Sequence, residues 1–123
     1  MNIVDSSGWL SFFADDPFAK HFLSPLQDIQ SLIVPTILIY EVIKVVLRES
    51  GSDEAVQVIA AMQKGKLVDL TAKLAVDASQ ISLQCKLPMA DSIILTTARY
   101  CNATIWTQDV HFANIPGVNY FKK

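Results

Sequence analysis

Short β-rich runs interleaved with longer helical patterns constrain this chain more than any other feature. The runs are "NIV" (2–4), "LIV" (32–34), "LVDL" (67–70), "TIWT" (104–107) and "VNYF" (118–121). Helical patterns cover 7–15, 17–28, 36–49, 53–64, 72–86 and 89–101. Strands separated by helices need crossover connections, and a crossover returns the chain parallel to the strand it left. The alternation therefore predicts an α/β fold: a three-layer α/β/α sandwich around a mainly parallel central sheet of about five strands.

Residues 1–123 carry no Gly, Pro or Ser-rich linker, no internal repeat and no low-complexity tract, so a single domain is expected. The "ESGSD" segment, 49–53, reads as a turn between two helices, with Gly51 as terminator and Ser52 or Asp53 as the next N-cap. Hydrophobic residues make up 51% of the chain, more than one small core requires, which points to an additional interface. The net charge of −2 excludes a broad basic face for nucleic acid, so any nucleic-acid chemistry must be local. Cys85 and Cys101 fit no zinc spacing and read as buried thiols of a cytosolic protein. Asp5 interrupts the first apolar run, and Pro35, Glu41 and Lys44 interrupt the longest one, so neither a secretory leader nor a membrane span is expected. The expected location is the cytoplasm.

Four carboxylates stand at related places in this pattern. Asp5 directly follows the first strand, and Asp109 follows "TIWT" after one intervening residue. Glu41 lies in the helix opened at Pro35, and Asp91 lies in the first turn of the helix opened at Pro88, on the same stripe as Ile94, Leu95 and Ala98. Each has a plain structural explanation: a helix-dipole partner for Asp91, turn or N-cap residues for Asp5 and Asp109, a solvated stripe of Glu41, Lys44 and Arg48. Together they share a position, because the rim beyond the carboxyl ends of parallel strands is where loops and helix N-termini converge. Two carboxylates about 5 Å apart repel by roughly 3 kcal/mol at an effective dielectric near 20. A cluster of four calls for a cation, and an all-oxygen donor set suits Mg²⁺ or Mn²⁺.

These stretches resemble the PIN-domain ribonucleases, and among them the VapC toxins of type II toxin–antitoxin pairs. "IVDSSGWL" is similar to the family's first strand with its leading Asp, "YEV" to its Glu on the third helix, and "LPMADSIILTTA" to its Asp helix. In "ATIWTQDVHF", Thr107 and Asp109 match the family's T-x-D. The resemblance implies a metal-dependent endoribonuclease that cuts single-stranded or loop RNA, leaves a 5′ phosphate and a 3′ hydroxyl, forms a homodimer and is silenced by a cognate antitoxin. It implies Asp5, Glu41, Asp91 and Asp109 as metal-site carboxylates, with Ser7 and Thr107 as hydroxyls that hold them.

One position departs from the pattern: many relatives place a further acid two residues after the last Asp, where this chain has His111. An imidazole there lowers the local negative charge and leaves one-metal against two-metal chemistry open. Because Mg²⁺ disfavours nitrogen, His111 is read as packing or capping at its loop, and His21 as a surface residue. Lys44 and Arg48, on the stripe of Glu41, are candidates for holding the RNA backbone or for balancing nearby acids. The aromatic segment 9–26, with Trp9, Phe12, Phe13, Phe18 and Phe22, suits core packing, an antitoxin groove or a dimer surface.

Other chemistries fail on residues. A receiver domain needs paired acids after its first strand and a late Lys, and a D-x-D phosphatase needs an acid where Ser7 stands. There is no phosphate-binding glycine loop and no G-x-S-x-G elbow. The surviving alternative is a PIN-like module that binds a partner or RNA without cutting it.

Overall fold

The computed structural model describes all 123 residues. The strands are β1 (Asn2–Val4), β2 (Ile33–Pro35), β3 (Lys66–Val68), β4 (Thr104–Thr107) and β5 (Val118–Tyr120). The helices are α1 (Ser6–Ala14), α2 (Leu23–Gln27), α3 (Thr36–Ser50), α4 (Ser52–Met62), α5 (Ala72–Cys85) and α6 (Met89–Cys101). Every strand pairing is parallel, in two ladders, β1-β4-β5 and β2-β3. A single parallel bridge from Asn2 to Leu32 joins them, so the expected five strands lie side by side with the ladder interrupted between β1 and β2.

Buried residues of the strands, Ile3, Val4, Ile33, Val34 and Ile105, meet Leu38, Val42, Ile94 and Phe112 in one core. Trp9 and Phe22 belong to it, which settles the aromatic segment mainly in favour of core packing. The helix expected over 17–28 is instead a 3₁₀ turn, Ala19–Phe22, running into the short α2. Pro25 explains the break, since it has no amide to reach the carbonyl four residues back at His21, as a continuous helix would require. The next N-cap after the 49–53 turn is Gly51 itself, at φ 86°, and no side chain caps α4. His21 is half-buried, its ring stacked on Phe121 with centroids 4.5 Å apart, so it is not a free surface residue. Cys85 and Cys101 are free and half-buried, not fully buried. No helix is long and apolar enough to cross a membrane.

Two local features set the site. β2 runs into α3 without a loop, and α6 is buried without interruption from Asp91 to Ala98. Polar residues survive in that buried run because Thr96 and Thr97 donate to the carbonyls of Ser92 and Ile93, at 2.7 and 2.8 Å. α1 presses against β1 and the 3₁₀ turn at Gly8, where a Cβ would lie 2.5 Å from Val4 Cγ1 and 2.7 Å from Phe22 Cδ1. Both neighbours are buried core side chains with little room to give, so Gly8→Ala is expected to cost about 2–3 kcal/mol, read as a lower urea midpoint at unchanged slope.

Candidate metal centre

Asp5 leaves the end of β1 and serves as N-cap of α1, its Oδ1 accepting from Gly8 N at 3.2 Å. The capping role and a place in the acidic site are therefore compatible. The carboxylate is only 2% exposed and is held on three sides. Ser7 Oγ donates to Oδ1 at 2.5 Å, and Thr107 Oγ1 donates to Oδ2 at 2.6 Å. Each hydroxyl accepts in turn from the loop after β4: Gln108 N donates to Ser7 Oγ at 2.9 Å, and Asp109 N donates to Thr107 Oγ1 at 2.8 Å. The two hydroxyls thus lock the position of Asp5 to that of Asp109, across the β1-β4 ladder.

Asp91 enters from the first turn of α6, and Asp109 from the start of the 3₁₀ turn Val110–Phe112, which it caps through Oδ1 to His111 N at 2.9 Å. His111 Nδ1 lies 3.0 Å from Asp91 Oδ2 and 3.3 Å from Asp109 Oδ1. Asp91, Asp109 and His111 thereby bring one donor atom each within 4.8 Å of one another. His111 does not cap the turn but is capped by Asp109, and its ring lies against Asp91 and Asp109 instead of merely packing in the loop. Glu41 arrives from α3 with Oε1 buried and without a hydrogen-bond partner.

The electrostatics show that the four acids share one field. Burial, and then the charges of Asp91, Asp5 and Asp109, push the Glu41 carboxyl up to about 7. Burial and Asp109 push Asp91 up to about 6, against the opposing pull of His111. Burial also raises Asp5, although the bonds from Ser7, Thr107 and Gly8 favour its charge. The His111 imidazole is raised, chiefly by its bond to Asp91. Each raised carboxyl records a charge that the fold desolvates without supplying a lysine or arginine as counter-ion. An orphaned buried carboxylate oxygen on Glu41, close enough to feel the charges of Asp91, Asp5 and Asp109, fits a divalent cation; of the four acids, Asp91 and Asp109 have donor atoms within 4.8 Å of each other, together with His111, while Asp5 and Glu41 stand outside that group.

Lys44 and Arg48 are exposed and pair elsewhere. Lys44 Nζ sits 5.7 Å from the centre of the Tyr40 ring, and Arg48 Nε donates to Glu49 Oε1 at 3.0 Å. Neither forms an ion pair with the four acids, so charge balance for the cluster is not their role. Gln108, read in the sequence only as a spacer, is buried and also reaches Ser7 O through Nε2 at 3.4 Å. Its position between Thr107 and Asp109 was the available signal. Thr107→Val removes a donor to Asp5 and the acceptor for Asp109 N in one step, so a loss of about 10–100-fold in divalent-ion affinity is expected by calorimetry.

The PIN domain family model matches residues 3–118. Among solved structures, a toxin–antitoxin complex from Klebsiella pneumoniae superposes with a TM-score of 0.82 at 21% identity, covering 97% of this chain and 96% of that one. VapC20 from Mycobacterium tuberculosis, described as a sarcin-ricin loop cleaving toxin, gives 0.81 at 17%, covering 96% and 97%. DNA-bound VapBC from Salmonella typhimurium gives 0.75 at 16%, with 98% of each chain covered. No curated protein matches by sequence. At these identities the neighbours speak for the fold, while the family model spans nearly the whole sequence and includes all four acids. The chain belongs to the PIN-domain family.

Proposed function

We propose that this protein is a Mg²⁺- or Mn²⁺-dependent endoribonuclease acting on single-stranded or loop RNA, and that it is the toxin of a toxin–antitoxin pair. The observation that carries the reading is Glu41 Oε1, buried and unpartnered, its carboxyl raised by the charges of Asp91, Asp5 and Asp109, beside the close group of Asp91, Asp109 and His111. A bound divalent ion supplies charge neutralisation at the phosphate and lowers the pKa of an attacking water. Asp5, held by Ser7 and Thr107, has little freedom to turn. Asp91, in the buried stretch of α6, and Asp109, which caps its own turn, are likewise held in place. Glu41 is the acid whose charge state changes most easily near neutral pH, which suits it to take a proton from water entering the site. The chain offers no covalent nucleophile at this rim.

The toxin role rests on the neighbours' descriptions, one a toxin–antitoxin complex and one a cleaving toxin, and on surface that invites a protein partner. Leu83 and Met89 are 83% and 72% exposed at a mostly apolar cleft of about 520 Å³ between α5 and α6. A cognate antitoxin and a second copy of the chain are the partners proposed, and Lys44 and Arg48 remain proposed contacts for the RNA backbone.

The test is cleavage of a structured RNA by the purified protein with Mg²⁺ or Mn²⁺. Activity should vanish with chelator, return with either ion, and be absent in Asp5→Asn. Cleavage that persists in chelator would overturn the assignment. Tight RNA binding without cleavage in any metal would favour the non-cutting module.

A further inference from the structure

His111 is the one nitrogen donor at a rim otherwise lined with carboxylates. Its exposure, 51% for the side chain, leaves the ring free to turn away into solvent, yet Nδ1 faces Asp91 and Asp109. The turn that carries it is fixed at both ends, by Asp109 capping its amide and by Phe112, which is fully buried. Two adjacent ligands of an octahedral ion lie about 3.0 Å apart when metal–ligand bonds are about 2.1 Å long. The separations from Nδ1 to the two carboxylate oxygens, 3.0 and 3.3 Å, match such edges.

We propose that His111 supplies a nitrogen ligand through Nδ1 beside Asp91 and Asp109, and that it biases the centre towards Mn²⁺ over Mg²⁺. This rests on the reading of the four acids as an ion site. Mg²⁺ takes oxygen ligands in near-ideal octahedral geometry, whereas Mn²⁺ accepts imidazole more readily. The competing role for the ring on the same geometry is that of an imidazolium, a stand-in cation that pairs with the two carboxylates and leaves when an ion enters.

The experiment titrates Mn²⁺ and Mg²⁺ separately into the full-length protein by calorimetry, for the wild type, His111→Ala and His111→Asp. Pulsed electron paramagnetic resonance of the Mn²⁺-loaded samples reads directly coordinated nitrogen. The proposal expects ¹⁴N coupling in the wild type and none in either variant. His111→Ala should weaken Mn²⁺ about tenfold or more with a smaller effect on Mg²⁺, and His111→Asp should shift the preference towards Mg²⁺ by a similar factor. Absent nitrogen coupling, or a Mn²⁺-to-Mg²⁺ ratio equal in all three proteins, overturns the ligand role. If ions still bind and RNA is still cut in that case, the ion site and the nuclease reading stand without His111. If neither ion binds any of the three proteins, both proposals fall together.

Discussion

Glu41→Gln is expected to abolish cleavage while making the metal-free protein more stable at pH 8. The Glu41 carboxyl lies at about 7, against an ordinary value of 4.5, because burial and three neighbouring acids disfavour its charge. A raised acid contributes stability that is fully present below pH 4.5 and is lost as pH rises through about 7. At pH 8 the wild type carries that penalty in full, and Gln, being neutral, does not. The difference corresponds to at most about 3 kcal/mol, and solvent reaching the half-buried group reduces it to about 1–2 kcal/mol. Activity should fall more than about 100-fold, since Gln neither balances an ion nor takes up a proton. Chemical denaturation at pH 8 and at pH 4.5 checks the sign: the variant should gain at the higher pH and lose the advantage at the lower. A variant that is less stable at both would show that Glu41 is not under electrostatic strain.

Divalent ions should stabilise the protein strongly at pH 8 and weakly at pH 5.5. Glu41 and Asp91, at about 7 and about 6, both hold protons at the lower pH, and an ion must displace them. At a free concentration 100 times the dissociation constant, binding adds about 2.7 kcal/mol. For a chain of this size that is a rise of roughly 8–13 °C in Tm, and most of it should vanish at pH 5.5. Thermal unfolding with and without Mn²⁺ at the two pH values measures it. Equal shifts at both would mean that ions bind away from the raised carboxyls.

Much of this architecture was legible in the residues, and the parts that were not have physical reasons. Apolar runs bounded by helical patterns place all five strands to within two residues; β1 and β2 are the clearest, because a strand buried on both faces has little choice of composition, whereas β3 and β5 are partly exposed and are marked by their boundaries. The four acids could be placed because strand ends and proline-marked helix starts can be read from one sequence. The 17–28 segment could not: a helical apolar pattern says which residues face the core, and Pro25 then breaks the continuous helix so that the chain reaches that face through a 3₁₀ turn. The break between β1 and β2 depends on how far apart two ladders settle, which no local pattern records. The contact of the His111 ring is not legible locally, because its sequence neighbours explain its backbone amide while its ring lies against Asp91, twenty positions earlier. Gln108 was overlooked for the same kind of reason, since its tie to Ser7 spans 101 positions.

The continuous burial of α6 has a consequence for how this centre can change over time. An element with a wet side can exchange residues there one by one, but from Asp91 to Ala98 every residue is buried. Drift in that stretch must be concerted, with a larger residue at one point answered by a smaller one across the packing boundary. Asp91 is thus inherited together with its mounting. Descendants of this chain that abandon its chemistry should keep the shape of the helix long after they have lost the acid at its head.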